Sequence, residues 1–203
     1  MEILLTFFIA FIFSFVGTIP PGTINLTIIQ MGLDHRVSTA WKFAIAGSVI
    51  EYLYAWIAVE FEELITSSPA ITENFELIGA VVMLTLGAIS LYTTKRPSPI
   101  ISRFDDSGIR KGIVLGILNP LALPFWVAMT AYIKSQKWIS LATNLELHSY
   151  LLGVALGGLA LLMLVFYLAR KVVNYFHDNI FLKKVPGLTL LILGVYALIN
   201  YLL

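Results

Sequence analysis

An all-α integral membrane protein, with six transmembrane helices as two inverted three-helix repeats and broken first and fourth helices, is the fold class this sequence predicts. The first reason is composition: of 203 residues, 59% are hydrophobic and only 12% charged, and the mean hydropathy is +0.88. That balance excludes an ordinary soluble domain. The second is that the apolar residues fall into six stretches long enough to cross a bilayer, at about 2–31, 38–60, 74–94, 110–133, 147–169 and 181–203. The ten-residue alternation of a membrane barrel is absent. The third is a correspondence: Gly17-x-x-Pro20-Pro21 and Gly116-x-x-Asn119-Pro120 lie 99 positions apart, each inside the first span of its half. Three spans per half give the halves opposite topology, the plan of secondary transporters, in which paired Gly/Pro-interrupted helices point to the solute site.

The first span opens on an apolar run from Ile3 to Val16. It lacks the basic n-region and small-residue cleavage site of a signal peptide, so it is read as a span. Within GTIPPGTINLT, proline removes a backbone donor and clashes with the carbonyl four residues earlier, which frees several polar groups. In hydrocarbon each would cost several kcal/mol, so the break predicts protein or a wet cavity beside it. Beyond the break, Thr23, Ile24 and Asn25 begin a half-helix whose amides and dipole favour an anion. Pro21, Gly22, Thr23 and Asn25 are therefore candidate solute contacts, and Asn119 and Pro120 are their counterparts in the fourth span. The two asparagines suit equally a second role, capping the freed backbone.

The second span carries Glu51 near its middle, and an ionisable group at that depth is functional by default. Ala40, Ala44, Gly47, Ser48, Glu51, Ala55 and Ala58 recur at three- and four-residue steps, a small-residue face that turns Glu51 toward the bundle. Ile45, Val49, Tyr52, Trp56 and Val59 point elsewhere. Glu51 is the candidate both for a substrate ammonium and for the coupling proton; the plainer alternative is a protonated acid bonded to a neighbouring helix. The third and sixth spans echo one another in Leu86-Gly87-x-x-x-Leu91 and Leu193-Gly194-x-x-x-Leu198, and the fifth has Gly153-x-x-x-Gly157-Gly158, first of all a helix-contact motif. Tyr52, Tyr54, Trp56, Trp126 and Tyr132 are read as interface or packing aromatics.

The chain thus forms a single transmembrane domain over 1–203: repeat one about 1–94, a connection about 95–109, repeat two about 110–203. Of 13 Lys and Arg, 11 fall in the connections near 32–42, 95–111 and 170–184, which makes that side cytoplasmic and puts both termini on the other. There is no cysteine, and His35, His148 and His177 are scattered, so no metal site and no cofactor is expected. No zincin, nucleophile-elbow or P-loop pattern occurs, so an enzyme is not expected. A net charge of +1 offers nothing to nucleic acid. The small-residue faces would also suit a homodimer.

Gly17-x-x-Pro20-Pro21-Gly22 with Asn25 and Gly32, then Gly47 and Glu51, and Gly112-x6-Asn119-Pro120-x4-Phe125-Trp126 in the second half, together resemble the lysine exporter (LysE/RhtB-type) superfamily of bacterial efflux proteins. The resemblance covers essentially the whole chain. It implies six spans in the cytoplasmic membrane, a cytoplasmic connection between halves, and export of amino acids or related small solutes driven by the membrane gradient. The sequence departs from the family's Pro-Gly-Pro at the first break, where Thr23 takes the third place. The expected function is a secondary transporter exporting amino acids or related zwitterions with the proton gradient. A cation or metal exporter using Glu51, Asn25 and Asn119 as oxygen ligands is the runner-up, and a non-transporting membrane subunit is a third reading.

Overall fold

The computed structural model describes residues 2–19, 22–67, 107–119 and 122–171, with individual helical positions between 77 and 91 and between 188 and 202. The described residues form six helices: α1 (Glu2–Gly17), α2 (Thr23–Leu33), α3 (Val37–Thr66), α4 (Gly108–Ile117), α5 (Ala122–Ser135) and α6 (Asn144–Lys171). The interruptions fall where the prolines predict them, between α1 and α2 and between α4 and α5. Pro20, Pro21, Pro120 and Leu121 themselves lie outside the described residues. Two helices are long and apolar enough to cross a membrane, within Val37–Phe61 and Asn144–Lys171, and α4 with α5 makes a third candidate bent by 66°. α1 and α2 are shorter apolar helices. α3 runs past the expected end near residue 60 through the acidic FEELI segment, which contains no helix breaker before Pro69.

Local signals set the helix ends. Ser107 caps α4 by accepting from the Arg110 amide at 3.4 Å. α6 opens on a capping box: the Glu146 amide donates to Thr143 Oγ1 at 3.2 Å, and the Thr143 amide to Glu146 Oε2 at 3.0 Å. Between α2 and α3, His35 takes a positive φ of 55°, which lets the Arg36 amide reach back to the Met31 carbonyl at 2.9 Å.

Glycines decide which helices meet. α1 lies along α6 where a Cβ on Gly153 would strike the Phe7 carbonyl and Ala10, and one on Gly157 the Phe11 carbonyl and Ser14. α2 continues the contact, with Gly32 against the Phe166 carbonyl and Ala169. Both ladders rise together, so α1 and α2 run parallel to α6 over about 24 Å of its length. The same device joins α4 to α3: Gly108 meets Thr39 and Lys42, Gly112 meets Phe43 and Ala46, and Gly116 meets Ile50, again in parallel. α3 and α6 run antiparallel, since Trp41 Nε1 reaches Tyr167 Oη at 3.3 Å near one end and Tyr52 Oη lies 2.8 Å from His148 Nδ1 further along.

The small-residue face of α3 is buried as its spacing predicts: Ala40, Ala44, Ala55 and Ala58 are fully enclosed, whereas Ile45, Val49 and Trp56 are exposed. Phe43 and Ala46 are buried as well, on a second face. That face is covered by α4, and the spacing Gly108-x3-Gly112-x3-Gly116 is its signature in sequence. Among the individually described positions, Gly194 packs against Leu84, with Cγ 2.9 Å from where a Cβ would stand. This joins the expected third and sixth spans; Leu86, Gly87 and Leu193 of their sequence echo lie outside the described residues.

Candidate functional site

The buried apolar residues form two clusters. One holds Ala10, Ala55, Ala58, Trp126, Tyr150 and Val154; the other holds Ile28, Met31, Ala40, Phe43, Leu115, Leu162 and Phe166. The spans formed by α1 with α2, α3, α4 with α5, and α6 each pass from one cluster to the other through the same layer. On α1 and α2 that layer is Ser14 and the first break, on α3 it is Gly47, Ser48 and Glu51, on α4 and α5 the second break, and on α6 Gly157 and Gly158. A polar waist therefore divides the apolar interior at the level of Glu51.

Helix lengths place both breaks in that waist. α1 and α2 run with α6, and α4 and α5 run with α3 in the opposite sense. α2 and α4, of 11 and 10 residues, therefore lie on one side of the waist, each about 15–17 Å long. α1 and α5, of 16 and 14 residues, lie on the other, each about 21–24 Å long. A direct contact confirms the shared level, because a Cβ on Gly17, at the end of α1, would collide with the tip of the Phe125 ring on α5.

Each break satisfies its freed backbone differently. At the first, Thr18 Oγ1 donates to the Ser14 carbonyl at 2.8 Å, and Asn25 Nδ2 donates to the Thr18 carbonyl at 2.6 Å. Asn25 is 5% exposed and works as an internal clamp between α1 and α2. At the second, the Asn119 amide reaches the Gly116 carbonyl at 3.1 Å and the Ala122 amide reaches the Asn119 carbonyl at 3.3 Å. The Ile117 carbonyl is taken by a neighbouring span, where Tyr54 Oη of α3 donates to it at 2.8 Å. Pro124 falls in the first turn of α5, where its missing N–H leaves no helical bond unmade.

Gly22 precedes α2 in extended conformation, φ −110° and ψ −174°, and gives no side-chain cap; nothing lies within 4 Å of where its Cβ would be. Space beside Gly22 is thus open at the start of α2, with Thr23 exposed next to it. The Thr23 carbonyl accepts from Thr27 Oγ1 at 2.8 Å.

Glu51 sits half-buried in the waist, at the middle of α3. Its Oε2 rests against Gly158, so closely that a Cβ there would overlap it, and Ser14 Oγ is 3.5 Å from that same point. Ser14 is fully buried and donates to the Val154 carbonyl at 2.6 Å. The indole of Trp126, also fully buried, is the polar neighbour of the Glu51 carboxyl, and its Nε1 forms no hydrogen bond of good geometry. Residues from α1, α5 and α6 thus converge on the α3 carboxyl. Among the described residues, no three of His, Cys, Asp and Glu gather as a metal cage would require.

Of the residues expected from sequence, Gly22, Thr23 and Asn25 lie at the first break and Asn119 at the second, while Pro21 and Pro120 lie outside the described residues. Glu51's own neighbours, Ser14, Trp126 and Gly158, were not foreseen. Ser14 had a signal, a hydroxyl one turn before Gly17 in an apolar run. So did Gly158: the doubled Gly157-Gly158 supplies one glycine for α1 and a second to spare.

The sequence profile of the family described as LysE type translocator matches residues 15–201. No curated protein and no solved structure matches the chain.

Proposed function

Since the chain belongs to the LysE type translocator family, multi-pass integral membrane proteins that move small molecules and are not enzymes, we propose that it exports amino acids or related small zwitterions. The solute occupies the polar waist between the two breaks. Its carboxylate faces the first-turn amides of α2 at Gly22 and Thr23 and, in the second half, the start of α5 after Pro120, where helix dipoles favour negative charge. Asn25 and Asn119 hold those ends open. Glu51 attracts the ammonium or exchanges it for the coupling proton.

The observation that carries this reading is the meeting of both breaks and the only mid-span acid of the described residues at one level. A zwitterion needs an anion-binding backbone and an acid within one small volume, and the waist offers both. The pairing of spans supports an inverted repeat of six: α1 and α2 run beside α6, as α4 and α5 run beside α3, so the first span of each half packs on the middle span of the other. Rocking of one half against the other would then expose the waist to each side in turn. With the basic connections in the cytoplasm, both termini face outward.

Efflux from preloaded proteoliposomes tests the proposal, using a panel of amino acids and divalent cations with and without a pH gradient. Wild type should release one amino-acid class in a gradient-dependent manner, and Glu51→Gln should lower the initial rate by roughly 100-fold or more. Release of a metal with amino acids retained would transfer the reading to a cation exporter. No flux through folded protein would point to a subunit of a larger complex.

A further inference from the structure

Among the described glycines, Gly158 is the one whose missing side chain makes room for a carboxyl group. Gly153, Gly157 and Gly32 admit backbone and alanine, and Gly108, Gly112 and Gly116 admit α3, but a Cβ on Gly158 would meet Glu51 Oε2 first. The next atom out is the Glu51 carboxyl carbon at 3.3 Å, followed by Ser14 Oγ at 3.5 Å. The carboxyl therefore points one oxygen at the α6 backbone, with Ser14 Oγ beside the same point and the Trp126 indole as a further neighbour. One turn earlier on the same face of α3, Gly47 is buried, yet nothing stands within 4 Å of where its Cβ would be. Side chains on a helix lean toward its N-terminus, so the space beside Gly47 is where a displaced Glu51 carboxyl would go.

We infer that Gly158 is a positioning residue that seats the Glu51 carboxyl against α6 and so keeps the space beside Gly47 open for the cargo. The inference deepens the export reading by assigning the seat of its acid, and it rests on that reading only for the identity of the cargo. Adding one methyl at Gly158 would push the carboxyl into the cargo space. Removing one methylene from the acid would let it return.

The test uses detergent-purified full-length protein and dicyclohexylcarbodiimide, an apolar reagent that adds to buried carboxylic acids, with labelling at position 51 followed by peptide mass. In wild type the seated carboxyl should label slowly. Gly158→Ala should label roughly tenfold faster, because the acid is unseated into open space, and Gly158→Ala/Glu51→Asp should return to the slow rate. In proteoliposomes the single variant should lose efflux and the double variant recover it. Equal labelling in wild type and Gly158→Ala, or no slowing in the double variant, overturns the inference. Should Gly158→Ala fail to fold, folding of the double variant supports the contact, and failure of both overturns it. Because labelling needs no transport, a wild-type-like Glu51→Gln in the efflux assay would defeat the export role of Glu51 while leaving the seat to be decided by this experiment.

Discussion

The two breaks share a level and a sequence pattern, yet the first takes a side-chain tie from its own span and the second takes one from a neighbouring span. At the first, Asn25 on α2 reaches back to the Thr18 carbonyl, so α1 and α2 are clamped by their own chain. At the second, the Ile117 carbonyl depends on Tyr54, three residues along α3 from Glu51. The second is tied to the helix that carries the acid, so a change in the position of Glu51 bears directly on the geometry of α4 and α5. A transporter that alternates between two states would use such a link between acid and break, and among the described hydrogen bonds Tyr54 supplies it at the second.

Removing either tie should separate these roles. The larger effect is expected at the buried clamp: Asn25→Ala withdraws the side-chain donor from the Thr18 carbonyl and should cost about 1–3 kcal/mol. It should lower the melting temperature of the purified protein, read by the loss of its monodisperse peak after heating. Tyr54→Phe removes only a hydroxyl, from an exposed hydrogen bond. It should cost about 0.5–1.5 kcal/mol or less in stability, and its signature should be slower efflux with the same apparent affinity for solute. If Tyr54→Phe proved the more destabilising, or Asn25→Ala slowed efflux without loss of stability, the assignment of clamp and link would have to be exchanged.

Much of the fold could be read from residues near one another in the chain. Prolines fix where helices end, whatever surrounds them, so both breaks were visible as patterns of four or five residues. The buried face of α3 was visible because small residues repeat at its helical period. The site was legible only in outline. Glu51 stood out as a lone acid, but its neighbours Ser14, Trp126 and Gly158 come from three other helices, and their meeting depends on how each helix is rotated. Local spacing carries no information about that rotation. Ser14 and its acceptor Val154 are 140 residues apart. Asn25 shows the same limit from the other side: its presence beside a break was legible, but whether it faced solute or backbone was not, and the structure gives its amide to the Thr18 carbonyl.

The claim on which the account turns is that both breaks border one solute site. The chain has no cysteine, so a paired Gly17→Cys/Phe125→Cys variant places thiols where the first break meets α5, with no background. The measurement is amino-acid efflux from proteoliposomes before and after treatment with a short bifunctional methanethiosulfonate, and again after reduction. The account predicts an intramolecular bridge that stops efflux and a reductant that restores it, with neither single-cysteine variant responding in this way. Failure of the thiols to bridge, or full efflux through the bridged protein, would contradict it.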